Sequence, residues 1–92
     1  MALTIKEHNG TFYLEGTINE KTARGFKEYV EFLIHYAKQT TININGVNGI
    51  DGNGMKALQE LYNIALNINK KFYIVGNGCK EIYDDFQSRD VA

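Results

Sequence analysis

Apolar and polar residues near the N-terminus alternate with a period of two, which is typical of strands. Within residues 3–8 the apolar Leu3 and Ile5 alternate with the polar Thr4 and Lys6, Asn9-Gly10 follows, and residues 11–15 are again rich in β-prone side chains. Two such runs around an Asn-Gly pair are typical of a tight hairpin. The chain is therefore predicted to begin with strands at about 3–8 and 11–15.

After these strands, the apolar residues recur every three or four positions. This spacing predicts the longest element of the chain. From Glu20 to Gln39 the apolar residues recur at helical spacing, and Asn19 is placed to cap the helix. The apolar stripe consists of Ala23, Phe26, Val30, Leu33, Ile34 and Ala37.

The second half of the chain continues with the same two periods. Residues 41–45 alternate like a short strand, residues 54–67 show helical spacing, and residues 71–75 predict a further strand. A last helix is predicted from the apolar spacing of Cys79, Ile82, Tyr83 and Phe86. The order ββαβαβα predicts one α/β domain over residues 1–92, with a mixed sheet of about four strands flanked by three helices, because helical crossovers lay parallel strands side by side.

Composition and charge exclude several classes of function. The chain has 92 residues, of which 43% are hydrophobic, and its net charge of -1 gives no basic field for nucleic acid or an anionic membrane surface. The longest apolar stretch, Phe72 to Val75, is far shorter than the roughly 20 residues of a membrane span. We expect a cytoplasmic protein that does not insert into a membrane. The single cysteine, Cys79, excludes an internal disulfide, and no motif predicts a metal site or a cofactor.

Residues 46–54 concentrate glycine between a predicted strand and a predicted helix. This segment holds four of the nine glycines, and either Asp51 or Asn53 is suited to cap the helix that follows. Two interpretations stay open. The glycines either leave a bare helix N-terminus that a phosphate, a carboxylate or a partner's backbone approaches closely, or they form a tight loop with several positive φ angles.

Gly52-Asn53-Gly54 also opens a match to the G-x-G-x-x-A form of the dinucleotide fingerprint. The context argues against nucleotide binding of that type, because six residues separate the predicted strand from the first glycine and no acidic residue ends the next strand. No P-loop pattern is present.

The stretch Asn43-Ile-Asn-Gly-Val-Asn-Gly-Ile-Asp-Gly-Asn-Gly54 resembles the D-L-S-G-V-x-x-I-D-S-S-G pattern of STAS domains of the anti-sigma factor antagonist type. Phe12-Tyr-Leu-Glu-Gly16 resembles the second strand of that family, and Phe72-Tyr-Ile-Val-Gly76 resembles its strand after the helix. The order and separations of these pieces agree with the ββαβαβα interpretation, so the resemblance covers nearly the whole chain.

The resemblance implies a bacterial transcription regulator that works by partner switching. Members bind an anti-sigma factor that is also a serine kinase, and phosphorylation of the serine after the aspartate breaks the complex. Here the phosphorylation-site equivalent is Gly52, the neighbouring hydroxyl position is Asn53, and the family's acidic strand-end residue is Asn43. The usual site is therefore not phosphorylatable, and uncharged residues imitate the unmodified state.

We therefore predict a non-enzymatic protein-interaction domain that presents the segment 51–54 and the adjoining helix face to an anti-sigma kinase or a similar protein. One alternative is an accessory STAS subunit of an ABC-type lipid transporter, whose partner is the transporter ATPase. A third, from another class, is a nucleotide- or phosphate-binding domain that uses the glycines at 52–54. The predicted partner-binding residues are Asp51, Gly52, Asn53, Gly54, Met55, Lys56 and Gln59.

The remaining candidates favour structural roles. Tyr29, Phe32 and Tyr36 lie beside the apolar stripe of the first predicted helix, and we expect them to widen its buried face. If they are exposed instead, they form a weak self-association surface. His8 and His35 have no second ligand at a recognisable spacing, and Cys79 is expected to be a small buried residue.

Overall fold

A computed structural model describes residues 3–77, 80–82 and 84 of the chain. Residues 80–82 and 84 are helical and form the described part of a third helix, α3. The order ββαβαβα is therefore confirmed. The other elements are β1 (Leu3–His8), β2 (Thr11–Ile18), α1 (Ala23–Tyr36), β3 (Gln39–Ile50), α2 (Gly52–Asn67) and β4 (Lys71–Val75).

The strands form one mixed sheet in the order β1-β2-β3-β4. β1 runs antiparallel to β2, and β2, β3 and β4 are parallel to each other. Asn9 and Gly10 both have positive φ, at 52° and 86°, as the predicted two-residue hairpin turn requires. Because the sheet order follows the chain order, the crossover helices α1 and α2 lie on the same face of the sheet, where they contact each other.

The core fills the space between this sheet face and the helices. Alternate residues of the strands point into it, and the helices contribute one stripe each. Ile82 of α3 is fully buried, whereas Cys79, Tyr83 and Phe86 lie outside the described residues. The other large buried side chains are Leu14, Ile18, Phe26, Val30, Ile34, Ile42, Ile44, Val47, Leu58, Leu61 and Phe72.

The first helix is shorter than predicted at both ends. It begins at Ala23 rather than Glu20, because the Asn19 side chain accepts from the backbone N–H of Lys21 at 2.9 Å and so organises a turn. The N-cap is Thr22, which makes no side-chain capping bond, so the predicted Asn19 cap is wrong. The helix ends at Tyr36.

The predicted glycine-rich loop at 46–54 does not exist as a loop. β3 extends to Ile50, paired with β2 through two register shifts, and α2 begins at Gly52, two residues before the predicted start. None of the four glycines has a positive φ, so the tight-loop interpretation is also wrong. The loop prediction was wrong because glycine usually indicates a turn. Two of these four glycines are explained instead by close packing.

The expected burial of the aromatic residues beside the α1 stripe is wrong. Tyr29, Phe32 and Tyr36 are 43%, 58% and 78% exposed. The Phe32 and Tyr36 rings contact each other with centroids 4.6 Å apart, and Tyr29 meets Phe12 edge to face. α1 touches the core along one stripe only, which leaves these rings on its outer side.

Candidate functional site

The predicted partner-binding residues lie together on the first two turns of α2. Asp51, Gly52, Asn53 and Lys56 are exposed, which places them where a partner can touch them. Met55 and Gln59 are half-buried, whereas Gly54 is buried. The surface formed by residues 51–56 and 59 is called the α2-start surface below.

Asp51 is the residue that fixes the geometry of this surface. Its Oδ1 accepts from the backbone N–H of Gly54 at 2.9 Å, which is the expected N-cap bond. Its Oδ2 accepts from the backbone N–H of Glu20 at 3.2 Å, and its own N–H donates to the Ile18 carbonyl at 3.1 Å. One residue therefore ties the end of β2 and the turn after it to the first turn of α2.

The hydrogen bonds of Asp51 also set its charge. The bond from the Gly54 N–H lowers the pKa of the Asp51 carboxyl from its ordinary value, and the Glu20 N–H and Asn53 add to this, while partial desolvation opposes them. The carboxylate is ionised at neutral pH and sits where an external anion would approach the helix N-terminus. The helix start is not bare, and its negative charge argues against phosphate binding there.

Gly52 and Gly54 have different roles, although both lie in the first turn. A Cβ on Gly54 would meet the Ile18 carbonyl oxygen, as well as Ile50 Cγ1 at 2.7 Å. Glycine is required there because α2 approaches the end of β2 closely. A Cβ on Gly52 would have no neighbour within 4 Å, so this position accepts a side chain pointing into solvent.

Two asparagines in the middle of β3 lie beside the C-terminal end of β4, and this arrangement was not predicted. Asn43 Oδ1 accepts from the Asn45 N–H at 2.8 Å, and Asn45 Oδ1 accepts from the Asn77 N–H at 2.9 Å. Gly76 has a φ of 92°, and a Cβ there would lie 2.7 Å from Asn45 Oδ1. The signal in the sequence was an asparagine at the end of the strand predicted over 41–45, but only the parallel pairing of β3 and β4 shows what it binds.

The other titratable candidates are not assembled into a site. His8 contacts Asn9, and His35 Nδ1 contacts the Glu31 carbonyl oxygen of its own helix. Within residues 3–77, 80–82 and 84, no group of three or more His, Cys, Asp and Glu side chains is placed to hold a metal ion. No helix in the same residues is long and apolar enough to cross a membrane.

Comparisons with solved structures show what this fold is similar to. The phosphorylated form of the Bacillus cell-fate determinant SpoIIAA superimposes with a TM-score of 0.73 at 12% identity, covering 96% of this chain and 83% of that one. An anti-sigma factor antagonist from Mycobacterium paratuberculosis gives a TM-score of 0.69 at 18% identity, covering 97% and 79%. The murine anion transporter Slc26a9 gives a TM-score of 0.61 at 20% identity, covering 90% of this chain and 14% of that one.

Sequence comparison identifies the family. No curated protein sequence matches the chain significantly. The sequence pattern that defines the STAS domain, however, matches residues 1–87. Because this match spans nearly the whole domain and agrees with the ββαβαβα fold, the chain belongs to the STAS domain family.

Proposed function

We propose that this protein is a non-enzymatic interaction domain that binds a protein partner through the α2-start surface, in the manner of an anti-sigma factor antagonist. The observation that carries the proposal is the exposed, rigidly held turn at residues 51–53. Asp51 is fixed by two backbone N–H groups, and Gly52 leaves open space beside it. A fixed backbone with little side chain in the way suits close contact with another protein, because little conformational entropy is lost on binding.

The proposed surface has no phosphorylation switch. Residues 51–59 contain no serine, threonine or tyrosine. A phosphate at position 52 would bring about two negative charges next to the ionised Asp51. Without a hydroxyl, the surface keeps one charge state, so we expect partner binding to be independent of kinase activity at this position.

Partner capture tests the surface. The full chain is immobilised and incubated with native lysate, and the bound proteins are identified by mass spectrometry. Lys56→Glu reverses a charge on the α2-start surface, and Lys6→Glu makes the same change on the remote, exposed strand β1. We expect Lys56→Glu to lose the partner and Lys6→Glu to retain it. Equal capture by both variants would place the binding surface elsewhere.

A second experiment tests the kinase assignment. Gly52→Ser restores a hydroxyl at a position with free space, and Gly25→Ser adds one at an exposed position of α1 whose Cβ also has no neighbour within 4 Å. With a captured kinase and ATP, Gly52→Ser should gain a phosphate and then release the partner, while Gly25→Ser should do neither. If Gly52→Ser were not phosphorylated, the kinase assignment would be contradicted, but the proposal that the α2-start surface binds a partner would still stand.

An accessory role in a transporter is the second candidate. It is supported by the similarity to part of the murine anion transporter Slc26a9. The same capture separates the two candidates, because the anti-sigma candidate retains a kinase-like protein and the transporter candidate retains an ABC-type ATPase.

A further inference from the structure

Asparagine followed by glycine occurs five times in the chain, and this pair carries a chemistry that the proposed function does not use. The pairs begin at Asn9, Asn45, Asn48, Asn53 and Asn77. A glycine amide is unhindered, so its nitrogen can reach the side-chain carbonyl carbon of the asparagine before it. The backbone has to rotate to bring these two atoms together, so the local structure decides which pair reacts.

The pairs Asn45-Gly46 and Asn48-Gly49 lie within β3, where both glycines pair with β2. Their side chains are also held. The side-chain oxygen of Asn45 accepts from the Asn77 N–H, and that of Asn48 accepts from the Thr17 hydroxyl, both at 2.9 Å. Rotation at either pair would break ladder hydrogen bonds between two strands of the sheet.

The pair Asn53-Gly54 lies in the first turn of α2, where Gly54 is buried. The Gly54 N–H donates to Asp51 Oδ1 at 2.9 Å, which is the N-cap bond of the helix. Rotation at this pair would therefore unwind the start of α2.

The pair Asn9-Gly10 forms the hairpin turn, and both residues are exposed. The last pair of the β1–β2 ladder is His8 opposite Thr11, just outside the turn. The Gly10 N–H donates to a side chain, Glu7 Oε2, at 2.8 Å. Rotation there breaks a surface hydrogen bond at a loop tip, and loop tips open at the lowest cost in free energy.

We propose that Asn9 is a modification site, at which the protein converts its own asparagine to aspartate and isoaspartate. The Gly10 nitrogen loses its proton to solvent hydroxide and attacks Asn9 Cγ. The bond from Cγ to Nδ2 breaks, and Nδ2 leaves as ammonia after taking a proton from water, which restores the hydroxide. The new bond from Cγ to nitrogen closes a five-membered imide, and water opens this ring at either carbonyl carbon. Overall, one water is consumed, one ammonia is released, and nothing is oxidised or reduced.

Glu7 slows this conversion. Its carboxylate accepts the proton that the Gly10 nitrogen must lose, and its Oε2 lies 2.8 Å from the atom on which negative charge develops. A like charge so close disfavours the ionised nitrogen, and the hydrogen bond also holds the turn closed. The segment 7–10 therefore contains both the reactive pair and the group that sets its rate.

The isoaspartate product changes the fold, because it adds a carbon atom to the backbone of a two-residue turn. The positive φ angles of Asn9 and Gly10 match the twist of β1 and β2, and a longer backbone no longer does so. β1 packs Leu3 and Ile5 against the core. The hairpin of a modified molecule is therefore less stable than that of a new one.

Peptide mapping of aged protein tests the site. The full chain is kept for several weeks at neutral pH, either folded or in concentrated urea, and conversion at each asparagine is measured by mass spectrometry. In urea, Asn9 and the pairs of β3 and α2 should convert at similar rates. In the folded protein, Asn9 should convert at least about ten-fold faster than those pairs. No conversion at Asn9, or equal or faster conversion at any of those pairs, would overturn the proposal.

A charge substitution tests the role of Glu7. Glu7→Gln should speed conversion at Asn9 about three-fold, because it removes the like charge and weakens the hydrogen bond. Glu15→Gln is the matched control, since it removes the same charge from the same hairpin at an exposed position opposite Thr4. Circular dichroism and continued protection of Asn53 show that both variants are folded. Conversion that is unchanged or slower in Glu7→Gln, or equally fast in Glu15→Gln, would refute this role.

Discussion

Alanine at the two glycines of the first α2 turn should have opposite effects on stability. In Gly54→Ala the new Cβ would collide with the Ile18 carbonyl oxygen and would lie 2.7 Å from Ile50 Cγ1. That carbonyl also accepts the Asp51 N–H, so it cannot move without loosening the helix start. Overpacking of this kind costs about 1–3 kcal/mol, and the better helix propensity of alanine returns at most about 1 kcal/mol.

Gly52→Ala meets no atom within 4 Å, so only the favourable change in backbone entropy remains. We expect Gly54→Ala to lower the free energy of unfolding by about 2 kcal/mol and Gly52→Ala to raise it by up to about 1 kcal/mol. Urea unfolding with an unchanged m-value measures both, and the two melting temperatures should differ by roughly 12 °C. If Gly54→Ala were as stable as Gly52→Ala, the close approach of α2 to β2 would be refuted.

Three further substitutions test single groups. Thr40 Oγ1 is buried and has no hydrogen-bond partner among the described residues, so Thr40→Val should raise the free energy of unfolding by about 1 kcal/mol in urea titration. The pKa of the Asp51 carboxyl is lowered in the folded state, so the wild type should have a higher free energy of unfolding than Asp51→Asn above about pH 4. This difference should vanish as the pH falls through the lowered pKa, and a difference that persisted in acid would contradict the reasoning. Lys70 Nζ donates to the carbonyls of His35 and Ala37 at the C-terminal end of α1, so Lys70→Met should lower the melting temperature by about 5 °C, and an unchanged value would count against this cap.

The hairpin and the strand β4 were predictable because their signals are local. Asn9-Gly10 supplies the two positive φ angles of the turn, and residues 71–75 have the bounds that their composition predicts. The family was also predictable, because the order and spacing of the three motifs are properties of the sequence alone. The capping role of Asp51 was one of two open choices, and the structure selects it through its bond to Gly54.

The ends of β3 were not predictable, because they depend on the neighbouring strands. Residues 46–50 have the composition of a loop, but β2 pairs with them and holds them extended. Gly46 is required because a Cβ there would lie 2.7 Å from the Leu14 carbonyl oxygen on β2. In the sequence, the only sign of this contact between distant residues is the glycine itself. Glycine more often marks a turn, so the contact could not be predicted from it.

The sequence by itself determined the order of the elements, the hairpin, the family and the absence of a hydroxyl at position 52. Periodicity and short motifs encode these features, since each depends on residues close together in the chain. The tertiary structure decided that the glycine-rich segment is strand and helix, that the α1 aromatic side chains are exposed, and that Tyr73 and Val75 of β4 are exposed. These features depend on which surfaces meet after folding, because burial and strand pairing are relations between distant parts of the chain.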